Sequence, residues 1–171
     1  MISTLNLVGA GHVGRVLGRL FAASGAFTLQ DVLTRSPASA QAAVAFIGAG
    51  HACTDVGQLR PAQVWLLAVS DDQIEPVAAQ LAQTHDLTGA VVFHCSGAKA
   101  STALQAARAG GALVASVHPI RSFADPQQVA REFAGTFCGV EGDAAALALL
   151  GPAFETIGAR LVPIDGAAKT V

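Results

Sequence analysis

Gly9, Gly11 and Gly14 stand at G-x-G-x-x-G spacing inside LNLVGAGHVGRVLGRLF, which begins at Leu5. The chemistry open to such a triplet is that of bare main-chain amides. An apolar run precedes it and a helical pattern follows, so the glycines occupy a strand-to-helix junction. Gly9 permits a tight turn, Gly11 lets a diphosphate approach the backbone, and Gly14 lets the helix pack closely on the strand. Unpaired N–H groups at the helix start, with their partial positive charge, would receive the phosphates. Ala10, His12 and Val13 complete the turn and count among its ligand-contacting residues. No G-K-[ST] follows, which excludes a nucleoside-triphosphate loop of the P-loop kind.

The second chemical signal lies about 20 residues past the last glycine, where a dinucleotide-binding domain for NAD usually places Asp or Glu on the ribose hydroxyl. Here the residues are Thr34, Arg35 and Ser36. A guanidinium flanked by two hydroxyls suits a 2′-phosphate, so the expected cofactor is NADP(H), preferred over NAD(H). Asp31 is a rival acidic residue but falls before the strand end. The missing acid also weighs against S-adenosylmethionine.

Three further strand ends carry polar residues. Ala68, Val69 and Ser70 are small enough to let ribose and diphosphate pass, while Asp71 and Asp72 suit helix capping. In HCSGA, Ser96 can donate to a nicotinamide or a substrate carbonyl. Cys95 reads better as a small apolar residue than as a reactive thiol, and His94 as one turned into the interior. In SVHPIRSFADP, His118 precedes Pro119, which favours extended backbone. Its pKa range suits it to protonate a substrate oxygen, and Arg121 could clamp a carboxylate. The structural alternative for His118 and Ser122 is to brace a buried loop.

These residues need a scaffold of alternating elements. TLNLV, FTLQDVLT, HACTD, AQVWLLAVS, GAVVFHCSG, ALVASVHP, GTFCGVEG and ARLVPID read as eight strands. Helices are expected over 11–24, from a Ser36 cap with Pro37 at the first position, from Asp71–Asp72 to about Thr84, over about 99–109, and from Asp143 to about Ile157. Strands alternating with helices predict an α/β fold, a doubly wound, mostly parallel sheet of about eight strands with helices on both faces.

Of the 171 residues, 52% are hydrophobic and only 13% charged, with a formal net charge of −2. So little charge implies deep burial or surface covered by a partner, and a homo-oligomer is one such cover. Nothing in the charge pattern suits nucleic acid or an anionic membrane. The cysteines, Cys53, Cys95 and Cys138, are odd in number and lack metal-ligand spacing, which fits a reduced, cytoplasmic setting. No apolar run approaches the roughly 20 residues of a membrane span.

LNLVGAGHVGRVLGRLF, VWLLAVSDDQI, VVFHCSGAKAS, ASVHPIRSFADP, GVEGDAAALALL and LVPIDGAAK together resemble the family in which a Rossmann-like domain precedes an all-helical DUF2520 domain. They are spread over nearly the whole chain. More distantly the chain is similar to the NADP-binding domains of coenzyme F420-dependent NADP oxidoreductases, pyrroline-5-carboxylate reductases and prephenate dehydrogenases. The resemblance implies a Rossmann domain over 1–165 and, at 166–171, the start of a helical domain not present in this sequence. It also implies an oxidoreductase role with the glycine turn, Thr34, Arg35 and Ser36 on the cofactor. The expected function is hydride transfer between NADP(H) and a small-molecule carbonyl, imine or deazaflavin near Ser96 and His118. The alternative is a dinucleotide-binding module without catalysis, serving as sensor or scaffold.

Overall fold

A computed structural model describes residues 2–166. Its strands are β1 (Thr4–Val8), β2 (Thr28–Leu33), β3 (His51–Cys53), β4 (Val64–Leu67), β5 (Val91–His94), β6 (Leu113–Pro119), β7 (Phe137–Gly142) and β8 (Arg160–Pro163). They form one sheet in the order β3-β2-β1-β4-β5-β6-β7-β8. All neighbours are parallel except β6 and β7. The helices are α1 (His12–Ser24), α2 (Pro37–Ile47), α3 (Ile74–Thr84), α4 (Gln105–Ala109), α5 (Pro126–Glu132) and α6 (Ala144–Thr156). This is the doubly wound α/β sheet expected from the alternating pattern. The expected start of a helical domain, 166–171, lies outside the described part except for Gly166.

Burial explains why central strands are apolar throughout. One cluster joins Leu5, Leu7, Leu66 and Phe93 to α1, α2, α5 and α6. The other joins Val8, Trp65, Leu67 and Val92 to α3 and α4. Strand β4 is therefore covered on both faces, and VWLL is buried at every position. Within the first cluster Phe21, Phe93 and Phe154 meet edge to face, with Phe154 centroids 5.2 and 5.9 Å from the other two rings.

The helix starts follow local chemistry. Ser36 caps α2 by accepting from the Ser39 amide, with Pro37 at the first position. Asp125 and Pro126 do the same for α5, a helix that periodicity alone leaves unassigned. Two expected helices begin differently. Residues Asp71–Gln73 form a tight 3₁₀ turn ahead of α3. The segment after Lys99 is 3₁₀ over Ser101–Leu104 before α4. There the Ser101 amide and hydroxyl donate to the Glu141 carboxylate of β7, so a neighbouring strand sets the chain path. Among the described residues no helix is long and apolar enough to cross a membrane.

Candidate functional site

The chain reverses direction across the sheet between β1 and β4, and a crevice opens there at the strands' carboxyl ends, as the topology of doubly wound sheets requires. A cavity of about 960 Å³ lies in it. The glycine turn supplies Gly9, Ala10 and Gly11, and the end of β2 supplies Leu33, Thr34 and Arg35. The loop after β3 adds Thr54, Asp55 and Val56, and the loop after β4 adds Ala68, Val69 and Ser70. A smaller cavity of about 360 Å³ continues past His12, Val13 and Gly14 to Cys95 and Ser96. Gly11, Ala68, Val69 and Ser70 border both.

Each glycine has a distinct physical reason. Gly9 has φ +81°, and a Cβ there would meet the Ala68 carbonyl oxygen at 2.6 Å and Val69 Cγ1 at 2.7 Å. At Gly14 a Cβ would meet Ala68 Cβ at 2.6 Å, which is the close approach of α1 to the loop after β4. At Gly11 the nearest atom, Ala68 O, would be 3.8 Å away. No neighbouring side chain demands glycine there. A side chain there would stand at the border of both cavities. Gly11 is also the N-cap of α1, and no side chain accepts its first amides. The residues thus fit a diphosphate: a bare turn, an open approach and unpaired donors at the start of a 13-residue helix.

At the end of β2 the hydroxyls form a chain of contacts. Thr34 Oγ1 donates to the Ser36 carbonyl at 3.1 Å and lies 2.5 Å from Ser39 Oγ. Ser36 Oγ accepts from the Ser39 amide at 3.1 Å and donates to Ser39 Oγ at 3.0 Å. Ser36 is therefore occupied as a helix cap and stands outside the cavity lining, whereas Ser39, one turn on, lines it. Sequence reading missed Ser39 because the cap motif itself decides which serine turns inward.

Asp31 does not compete for a ribose. It is fully buried and closed by Arg60, whose Nη2 lies 2.6 Å from Oδ1 and whose amide donates to Oδ2 at 2.8 Å. The same knot includes Asn6, which accepts from the Asp31 amide and donates to the Arg60 carbonyl, at a shift of register between β1 and β2. Asp31, His51 and Cys53 bring one donor atom each within 4.8 Å of one another. Burial pushes the Cys53 thiol up, Asp31 adds to that, and Arg60 opposes it.

The β5 and β6 ends are organised differently. His94 is fully buried. Its Nδ1 accepts from the Ser96 amide at 3.0 Å, so the proton sits on Nε2, which donates to the Ala100 carbonyl at 2.9 Å. Ser96 Oγ accepts from the Ala98 and Lys99 amides at 3.0 and 3.1 Å. The His118 ring lies against Gly97, where a Cβ would come within 2.5 Å of it. His118 thus touches the turn that carries Ser96 but does not line the cavity beside Cys95 and Ser96. Arg121 Nη1 donates to the Glu132 carbonyl at 2.9 Å, tying the loop to the end of α5. Cys138, buried in β7, has its thiol pushed up to about 12 by burial.

A family model described as a Rossmann-like domain matches residues 3–119. No curated protein matches the chain. Among solved structures, protein TM1727 from Thermotoga maritima is 26% identical with a TM-score of 0.71, over 96% of this chain and 58% of that one. Prephenate dehydrogenase from A. aeolicus, in complex with hydroxyphenyl propionate and NAD+, is 16% identical with a TM-score of 0.80, over 99% and 62%. A reductive aminase from Aspergillus terreus, in complex with NADPH and ethyl-5-oxohexanoate, is 18% identical with a TM-score of 0.72, over 99% and 58%. The chain therefore spans about three fifths of the length of the structures it matches.

Proposed function

The chain belongs to the Rossmann-like domain family, and from that premise we propose that it binds NADP(H) as the dinucleotide-binding part of an oxidoreductase. The observation that carries this reading is the junction at Gly11. There an uncapped helix start, an unobstructed Cβ direction and an arginine-bearing strand end share one cavity. The amides of the first turn of α1 take the diphosphate. Thr34, Arg35 and Ser39 take the 2′-phosphate, with the guanidinium supplying the charge. Ala68, Val69 and Ser70 leave room for the sugars between the larger and smaller cavities, and Val56 offers an apolar surface to the adenine.

When bound, the nicotinamide supplies hydride chemistry. The residues beside its half of the crevice are Cys95 and Ser96. Ser96 orients a carboxamide or a substrate carbonyl. Reduction of a carbonyl or imine needs a proton at the heteroatom, and the imidazole assigned to supply it is His118, which packs on Gly97 of the Ser96 turn outside the lining of this cavity. A small carbonyl, imine or deazaflavin is the substrate class. The NADPH complex of the structurally similar reductive aminase supports the first two.

Titration with NADPH and NADH, followed by energy transfer from Trp65 and by calorimetry, tests the reading. Trp65 is the only tryptophan and is buried in β4. The expected result is saturable binding of both, with NADPH tighter by roughly tenfold to a hundredfold, the worth of one charge-assisted contact. Absence of binding by either nucleotide defeats the proposal. NADPH oxidation with a panel of carbonyls, imines and deazaflavins then tests the enzymatic part.

A further inference from the structure

We infer that Arg15 is a second cation of the cleft. Its guanidinium and that of Arg35 bracket the 2′-phosphate of NADP(H), so cofactor choice is divided between the glycine turn and the end of β2. The inference rests on the dinucleotide reading above and adds a residue that no motif contains, because the fingerprint ends one position earlier, at Gly14.

Three observations place Arg15 there. It borders the same cavity as Thr34, Arg35 and Ser39. Its side chain folds back onto the turn rather than running out along the helix, with Nε donating to the Ala10 carbonyl at 3.0 Å. That bond fixes the plane of the guanidinium while engaging only one of its five N–H donors, and a phosphate is the anion that such a fork matches. Third, Arg15 is not neutralised. Arg60 is paired with Asp31 and Arg108 with Asp143, but among the described residues no carboxylate lies within ion-pair distance of Arg15 or Arg35.

Position separates this role from diphosphate binding. Arg15 also borders a cavity of about 500 Å³ lined by Phe46 of α2 and by Asp125 and Gln127. It does not border the cavity that leads past Gly14 to Ser96. Arg15 therefore stands where α2 and the start of α5 meet the glycine turn, and it shares the main cavity with Arg35 and Ser39. The first residues of α1 extend from there: Gly11 shares the main cavity with Arg15, while His12 and Val13 line the one that leads to Ser96. Asp55 is the one carboxylate lining the main cavity, and its Oδ1 accepts from the Gly57 amide at 2.9 Å. Two guanidinium groups against one carboxylate leave the cavity net positive, as a phosphate dianion requires.

The test compares Arg15→Met, which keeps the aliphatic stem, Arg15→Lys, Arg35→Ala and the Arg15→Met/Arg35→Ala double variant. Calorimetry gives Kd for NADPH, NADH, 2′,5′-ADP and 5′-ADP, and thermal melts confirm folding. Arg15→Met is expected to weaken NADPH and 2′,5′-ADP by roughly tenfold, within the range of a charge-assisted bond. NADH and 5′-ADP should change less than about twofold. Arg15→Lys should recover part of the loss, and the double variant should bind NADPH no more tightly than NADH. Equal weakening of both nucleotides would assign Arg15 to the diphosphate, and no change in either would make it a surface residue. Each result overturns the inference while leaving the dinucleotide reading intact. If the unaltered chain binds neither nucleotide, the reading itself has failed, and that is seen before any variant is made.

Discussion

The carboxyl ends of β1 and β2 and those of β5 and β6 are both rich in small and polar residues, yet they employ them in opposite ways. At the first pair, the amides at the start of α1 have no side-chain cap, Arg35 has no carboxylate partner among the described residues, and both border a large cavity. At the second pair, His94 is consumed in holding the 96–100 turn, and Ser96 Oγ accepts two amides of that turn. Polar groups left unsatisfied by their own chain are the ones open to a ligand. Polar groups satisfied by it shape a wall, although Ser96 still borders the smaller cavity. The difference lies in hydrogen-bond bookkeeping rather than in residue type.

The sharpest way to break this comparison is inside the glycine turn itself. Gly9→Ala forces a Cβ into a left-handed backbone and against Ala68 and Val69. It should destabilise the fold by about 2–4 kcal/mol in chemical denaturation. Gly11→Ala meets nothing closer than 3.8 Å, so stability should change by no more than about 0.5 kcal/mol. Its Cβ nevertheless stands at the border of both cavities, and NADPH affinity should fall at least tenfold, about 1.4 kcal/mol. If Gly11→Ala bound NADPH normally, the diphosphate would not lie over that amide.

Next in size is Arg35→Ala. Loss of a guanidinium contact to phosphate should remove roughly 1.5–3 kcal/mol from NADPH binding and little from NADH. Calorimetry reads the two Kd values directly. An unchanged NADPH-to-NADH ratio would move the 2′-phosphate elsewhere. The mirror experiment at the other end is His94→Ala. It removes the imidazole that accepts from the Ser96 amide and donates to the Ala100 carbonyl, and it opens a hole in a fully buried position. A loss of about 1–3 kcal/mol in thermal or denaturant stability is expected. NADPH affinity should move much less than in Gly11→Ala. A variant as stable as the parent would show that His94 is not the brace of that turn.

The sheet was readable in the sequence because two-sided burial leaves a plain mark: VWLL at β4 and VVFH at β5 sit under both helical layers. The glycine turn was readable for a related reason, since steric exclusion acts on residue type within a few positions. Other features depend on contacts between distant segments and leave no local mark. The 3₁₀ start at Ser101 comes from Glu141, forty residues on. The loss of Asp31 as a ribose ligand comes from Arg60. Arg15 escaped because the fingerprint ends at Gly14, although its position one residue later on the first turn of α1 was in plain view.

The smallest expected effect bears on which serine belongs to the cleft. Residue type alone puts Ser36 beside Arg35 on the phosphate, whereas the geometry places both serines in the α2 capping box and only Ser39 on the cavity lining. Ser36→Ala removes a cap acceptor and should lower stability by about 1 kcal/mol. Because Thr34 still donates to the Ser36 carbonyl, the end of β2 should keep its shape, and NADPH Kd should rise less than about threefold. Ser39→Ala removes the other half of the same capping box, so it should lower stability by a similar amount but shift NADPH more than NADH. If instead Ser36→Ala weakens NADPH selectively and leaves the melt untouched, Ser36 turns toward the ligand. The cap would then be a resting arrangement that the 2′-phosphate breaks.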